Sequence, residues 1–180
     1  MQSIDGGSVR PRRVGRIGLV AAAALAIQLV IPFATQAATY EVYALRGFEI
    51  WFTPTVGTFV GVGSASDARL SGWFTQVEHS PSITPTGSIT GGTASVQRVD
   101  GVRMEGKFST GTVRQLIDGA GCTNERHEVI GSVYGLTRSD RPGETGVGYF
   151  HATIDHHRVW AFGDCYSYSA TVEGTFTVAI

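Results

Sequence analysis

Residues 166–180, YSYSATVEGTFTVAI, alternate in character along their whole length. One parity reads Tyr166, Tyr168, Ala170, Val172, Gly174, Phe176, Val178 and Ile180. The other reads Ser167, Ser169, Thr171, Glu173, Thr175, Thr177 and Ala179. A period of two puts the first set on one face of an extended chain and the second on the other, which describes a half-buried strand. Gly174 predicts a bend within it. Working back from this stretch, similar strand-like segments lie at 43–53, 56–64, 72–79, 87–99, 103–113, 127–137 and 146–154. No helix is expected from Tyr40 onward; RQLIDGAG at 114–121 offers one turn that glycine stops. The fold class is therefore all-β. We expect a single antiparallel meander of about eight strands, closed into a small barrel that hides its edges. A two-sheet β-sandwich is the alternative.

A short rhyme runs through these strands. Gly72, Gly106, Gly148 and Gly174 each stand two residues before an aromatic, and so on the same strand face. Glycine there lets a neighbouring ring lie over the backbone and lets the sheet curl. In a closed sheet, Trp73, Phe108, Phe150, Tyr166, Tyr168 and Phe176 are expected to form one inward-facing aromatic set. His79 shares its parity with Trp73, Thr75 and Val77 and is expected to point inward near a strand end.

The first 37 residues read differently. A basic stretch with Arg10, Arg12, Arg13 and Arg16 precedes the apolar run IGLVAAAALAIQLVIPF, and Thr35 and Ala37 suit the small subsites of a signal peptidase. This is the pattern of a cleaved secretory signal over 1–37, followed by one domain over 38–180. A retained membrane anchor is the alternative, because the apolar run approaches the roughly 20 residues that span a bilayer. Arg12-Arg13 also permits a twin-arginine route. The expected destination is secreted or periplasmic, with no membrane association of the mature form.

Beyond residue 37 the chain is acidic on balance, since four of its 14 basic residues lie in the leader and only one of its 15 acidic ones does. Lys107 is the single lysine. No basic run marks a nucleic-acid surface. Cys122 and Cys165, an even pair in an exported chain, predict one disulfide. Neither has a metal-binding neighbour at ligand spacing, so no metal and no cofactor are expected.

HATIDHHRVW at 151–160 holds three of the five histidines. On a strand, Phe150, Ala152 and Ile154 share the core face, while His151 and Asp155 share the other, about 13 Å apart and too far to bind one ion. A turn at His156-His157 would set Asp155 against Arg158 and Ile154 against Val159, making the stretch a hairpin tip. His127, between Glu125 and Glu128, reads as a surface histidine.

No nucleophile elbow, zinc helix, thiol pair or phosphate loop occurs. The leading expectation is a non-catalytic barrel that binds a small apolar or amphipathic molecule, or a partner surface, around Trp73, His79, Phe108, Tyr166 and Tyr168. An exported isomerase, cyclase or hydrolase built on His79 with Tyr166 or Tyr168 is a second expectation. A small outer-membrane barrel, with its apolar parity facing lipid, is a third.

Overall fold

The computed structural model describes residues 40–179; the expected leader, residues 1–37, lies outside the described residues. Eight strands follow one another: β1 Tyr40–Thr53, β2 Val56–Val62, β3 Leu70–His79, β4 Thr86–Arg98, β5 Arg103–Asp118, β6 Glu125–Arg138, β7 Arg141–Ala161 and β8 Asp164–Ala179. Each pairs antiparallel with the next. β8 returns to β1 from Tyr40↔Ala179 to Phe48↔Thr171, so the hydrogen-bonded sheet closes on itself. The meander is as expected, and one closed sheet replaces the sandwich alternative. RQLIDGAG makes no helical turn at its start: β5 runs on to Asp118, and only Ala120–Cys122 forms a short 3-10 turn.

The apolar parity faces inward. Tyr43, Leu45, Phe59, Leu70, Val77, Met104, Val129, Val133, Phe150, Val172, Phe176 and Val178 are all buried. This is the reverse of a lipid-facing barrel with a polar lumen. Rings and glycines fit together across strands rather than along them. Trp73 covers Gly61, where a Cβ would meet its Nε1 at 2.0 Å, and Phe108 covers Gly131, where a Cβ would sit 2.6 Å from the ring. Phe108 and Phe150 meet edge to face, centroids 5.9 Å apart. Burying each such ring contributes on the order of 2 kcal/mol. The Gly72 repeat behaves otherwise, because Phe74 lies on the outer face and is 40% exposed.

The end of the barrel at the start of β1 is closed by a polar network. Tyr43 is fully buried and donates its hydroxyl to Glu41. Arg138 donates to Glu41 (3.0 Å) and grips Asp140 through Nε and Nη2 at 2.9 and 2.8 Å. Arg98 approaches Glu41 to 3.6 Å and pairs with Asp100 at 2.6 Å, while Arg69 stacks 4.6 Å above the Tyr43 ring. The bond from Tyr43, with Arg138 beside it, holds the Glu41 carboxyl below its usual range. Burial and the bond to Glu41 push the Tyr43 hydroxyl up to about 12.

β7 and β8 depart most from expectation. They continue past the histidines to a turn at Phe162-Gly163, with Ala161 opposite Asp164. Both turn residues have positive φ, 53° and 90°, which suits a two-residue hairpin of twisted strands. His156-His157 is therefore not a turn. Val159 is 46% exposed and no core partner of Ile154, and Asp155 pairs with Arg126 at 2.5 Å instead of Arg158. The pairing also slips between His157↔Ser169 and Arg158↔Ser167, leaving Tyr168 as an extra residue in β8. A bulge of this kind reverses the facing of everything beyond it.

Candidate functional site

The opposite end of the barrel is hollow. A cavity of about 360 Å³ lies among the ends of β1, β2, β3, β5, β6, β7 and β8, within the range of small-molecule sites. Its apolar wall is made by Phe59, Val77, Val113, Val129 and Ile154. Glu49, His79, Glu125, His127, His156 and Ser167 supply the polar part, and Phe52, Pro54, Pro81 and Ile83 form the lip. No lysine or arginine lines it. The Cys122–Cys165 disulfide, Cα atoms 5.6 Å apart, ties the β5–β6 loop to β8 at this same end. The sulfurs are where the even cysteine count put them. A bridge of this kind suggests an oxidising, extracytoplasmic environment. Among the described residues no helix is long and apolar enough to cross a membrane.

Strand parity brings the polar groups together. Glu49 continues the inward set Tyr43, Leu45 and Gly47 of β1; its pairing partner is Phe59, just before the slip that leaves Ile50 unpaired. His127 precedes Val129 and Val133 on the inner face of β6, and His156 follows Ala152 and Ile154 on that of β7. The two histidines are cross-strand neighbours in adjacent registers, His127↔Ile154 and Glu125↔His156.

The result is a chain of contacts. Glu49 Oε2 lies 2.6 Å from His156 Nε2. His156 Nδ1 lies 3.3 Å from His127 Nδ1. His127 Nε2 lies 3.3 Å from Glu125 Oε1, but out of line for a hydrogen bond, so that nitrogen is buried with no partner. His127 as a whole is 6% exposed. Burial pulls its pKa below the usual 6.5, against the opposing charge of Glu125, so the ring is neutral at pH 7. Glu125 is held by Gln115 Nε2 at 2.8 Å. His79 Nδ1 contacts the Ser80 carbonyl at 2.8 Å. A carbonyl only accepts, so Nδ1 carries the hydrogen.

Of the residues singled out from sequence, His79 stands in the cavity wall, inward and at its strand end. Trp73 and Phe108 are buried, 5% and 4% exposed, but belong to the packed middle of the barrel and not to the cavity. Trp73 donates Nε1 to the Arg46 carbonyl and Ser66 Oγ, both at 3.2 Å. Tyr166 and Tyr168 point outward, 46% and 68% exposed. The bulge at Tyr168 turns them away, and Ser167 reaches the cavity in their place. His127 is a buried histidine rather than a surface one. Its parity with Val129 and Val133 was the available signal, as was the parity of His156 with Ala152 and Ile154.

The remaining histidines are outside: His151 meets Glu128 at 3.0 Å, and His157 contacts Thr171 Oγ1 at 3.3 Å. Among the described residues, no three His, Cys, Asp or Glu side chains are arranged to hold a metal ion. Comparison with protein-family models, with curated proteins and with solved structures finds no match to this chain.

Proposed function

We propose that this chain is an exported barrel that binds a small amphipathic molecule in the hollow end. The apolar part of the ligand lies against Phe59, Val77, Val113, Val129 and Ile154, and its polar part meets the imidazole–carboxylate group. One observation carries the reading: His127, whose Nε2 is buried without a hydrogen-bond partner, belongs to the wall of a cavity. Buried polar atoms are nearly always hydrogen-bonded, and leaving one unpaired costs about 1–3 kcal/mol. A protein that only had to fold gains nothing from this arrangement, whereas a ligand that completes it does. The leader-like first 37 residues and the disulfide support export.

The experiment is a titration with N-phenyl-1-naphthylamine, an apolar probe that fluoresces when it leaves water. We expect saturable one-to-one binding, weakened at least tenfold in Val113→Trp, which fills the cavity. Wild-type protein that does not bind the probe, or a filled variant that binds it equally well, would overturn the reading.

A second reading has one observation in its favour. The series Glu49, His156, His127 is a carboxylate that orients one imidazole against another, as general acid–base catalysis requires. In this reading the isomerase, cyclase or hydrolase chemistry expected around His79 is centred on His127, with no part for Tyr166 or Tyr168. A natural ligand recovered chemically unchanged after long incubation with the protein would leave binding alone.

A further inference from the structure

The polar atoms of the cavity have a consistent sense. The imidazoles make most of their polar contacts within the protein. His156 Nε2 faces Glu49, His79 Nδ1–H is directed at the Ser80 carbonyl, and the Nδ1 atoms of His127 and His156 face each other. His127 Nε2 has no partner and lies 3.3 Å from a carboxylate oxygen of Glu125. The carboxylates of Glu49 and Glu125 are acceptors, and no lysine or arginine lines the wall beside them. Arg158 approaches Glu125 Oε2 only to 3.8 Å and is tied to the Gly119 carbonyl at 3.1 Å, outside the cavity lining.

We infer that the ligand class of this site is an apolar amine, bound as its ammonium ion, whose charge the carboxylates of Glu49 and Glu125 balance. This rests on the binding reading and sharpens it. An ammonium supplies donors and no acceptor, the complement of what the wall offers. A fatty acid or other carboxylate brings acceptors and a like charge into a partly desolvated site, which is unfavourable on both counts.

The test uses three probes with one apolar body: 1-naphthylmethylamine, 1-naphthalenemethanol and 1-naphthoate, titrated into the wild-type protein by calorimetry at pH 7.5. The amine is expected to bind at least tenfold tighter than the carboxylate, with the alcohol between them. Glu49→Gln and Glu125→Gln should each reduce the amine's advantage several-fold and leave the alcohol within twofold of its wild-type affinity. A carboxylate that binds as tightly as the amine overturns the inference, as does an advantage that persists in the folded double variant. If a variant fails to fold, the wild-type ranking decides alone. Binding of the alcohol and of N-phenyl-1-naphthylamine without preference for the amine removes only the ligand class. Failure of all four probes to bind removes the pocket reading with it.

Discussion

Both ends of this barrel bring ionisable side chains into its interior, and they resolve the cost in opposite ways. At the closed end Tyr43, Glu41, Arg138 and Arg98 satisfy one another: carboxylate faces guanidinium, and the buried hydroxyl has an acceptor. At the hollow end Glu49, His156, His127 and Glu125 form a similar row, yet it stops at an unpaired nitrogen beside a void. The surroundings differ too. Asp67, Arg69, Asp100 and Asp140 surround the closed end, whereas exposed Trp51, Phe52, Trp160 and Phe162 belong to strand ends and a turn at the hollow one. The lesson is that buried charge alone does not mark a site. The mark is an incomplete set of hydrogen bonds next to space, because a structure under selection for stability alone would complete it.

The comparison breaks most directly at Arg138, whose side chain is 7% exposed. Arg138→Ala leaves Glu41 and Asp140 short of a partner. The expected loss is about 2–4 kcal/mol, below the full cost of an isolated buried charge because Glu41 keeps Arg98 and some water. Chemical denaturation at pH 7 measures it. Binding of N-phenyl-1-naphthylamine at the far end should stay within twofold of wild type. A loss under about 1 kcal/mol would mean the network is no plug.

The two ends should also fail at different pH. His127 has its pKa lowered in the folded protein, so below about 6.5 the unfolded chain takes up the proton first and stability falls as pH falls. Tyr43 has its pKa raised from 10.0 to about 12, so between those values the unfolded chain loses the proton first and stability falls as pH rises. Thermal melts across pH 5–11 should show both shoulders. His127→Gln should flatten the acid one, and Tyr43→Phe the alkaline one. An acid shoulder unchanged in His127→Gln would assign it elsewhere. The carboxylates held low, Glu41 and Glu128 among them, act only below about 4.5, outside the His127 window.

Period-two alternation made most of the barrel legible, because a strand with one buried face must repeat that way. Phe176, Val178 and Val172 illustrate it, each inward and buried. What alternation cannot show is where an extra residue resets it. Ile50 in β1 and Tyr168 in β8 are such residues, and both lie at the hollow end. Nor did the turn announce itself, since Phe162-Gly163 replaces the Asn-Gly that usually marks a two-residue hairpin. Placing the turn early at His156-His157 moved one histidine of the site to a tip. Reading His127 by its charged neighbours Glu125 and Glu128 moved another to the surface. Apart from His79, the polar part of the site stays hidden in the sequence because its residues occupy core parity, where apolar ones are expected.

The smallest effect is expected at Tyr166 and Tyr168, and it sharpens the comparison because strict alternation from Ala170 would carry both into the cavity. The bulge at Tyr168 puts them outside, Tyr166 with its hydroxyl 3.4 Å from Asp164 and Tyr168 with its ring 6.2 Å from that of His157. Side chains so exposed lose little on truncation, so Tyr166→Ser and Tyr168→Ser should each change stability by no more than about 0.5 kcal/mol. Neither should change the probe's affinity by more than twofold. Ser167 between them is the contrasting position. It lines the cavity, so Ser167→Trp should weaken the probe at least tenfold while the flanking substitutions do not. That one-in-three pattern along β8 is the signature of the bulge. If Tyr166→Ser and Tyr168→Ser weakened binding and Ser167→Trp did not, the strand would be in its unbulged register and the tyrosines would belong to the site.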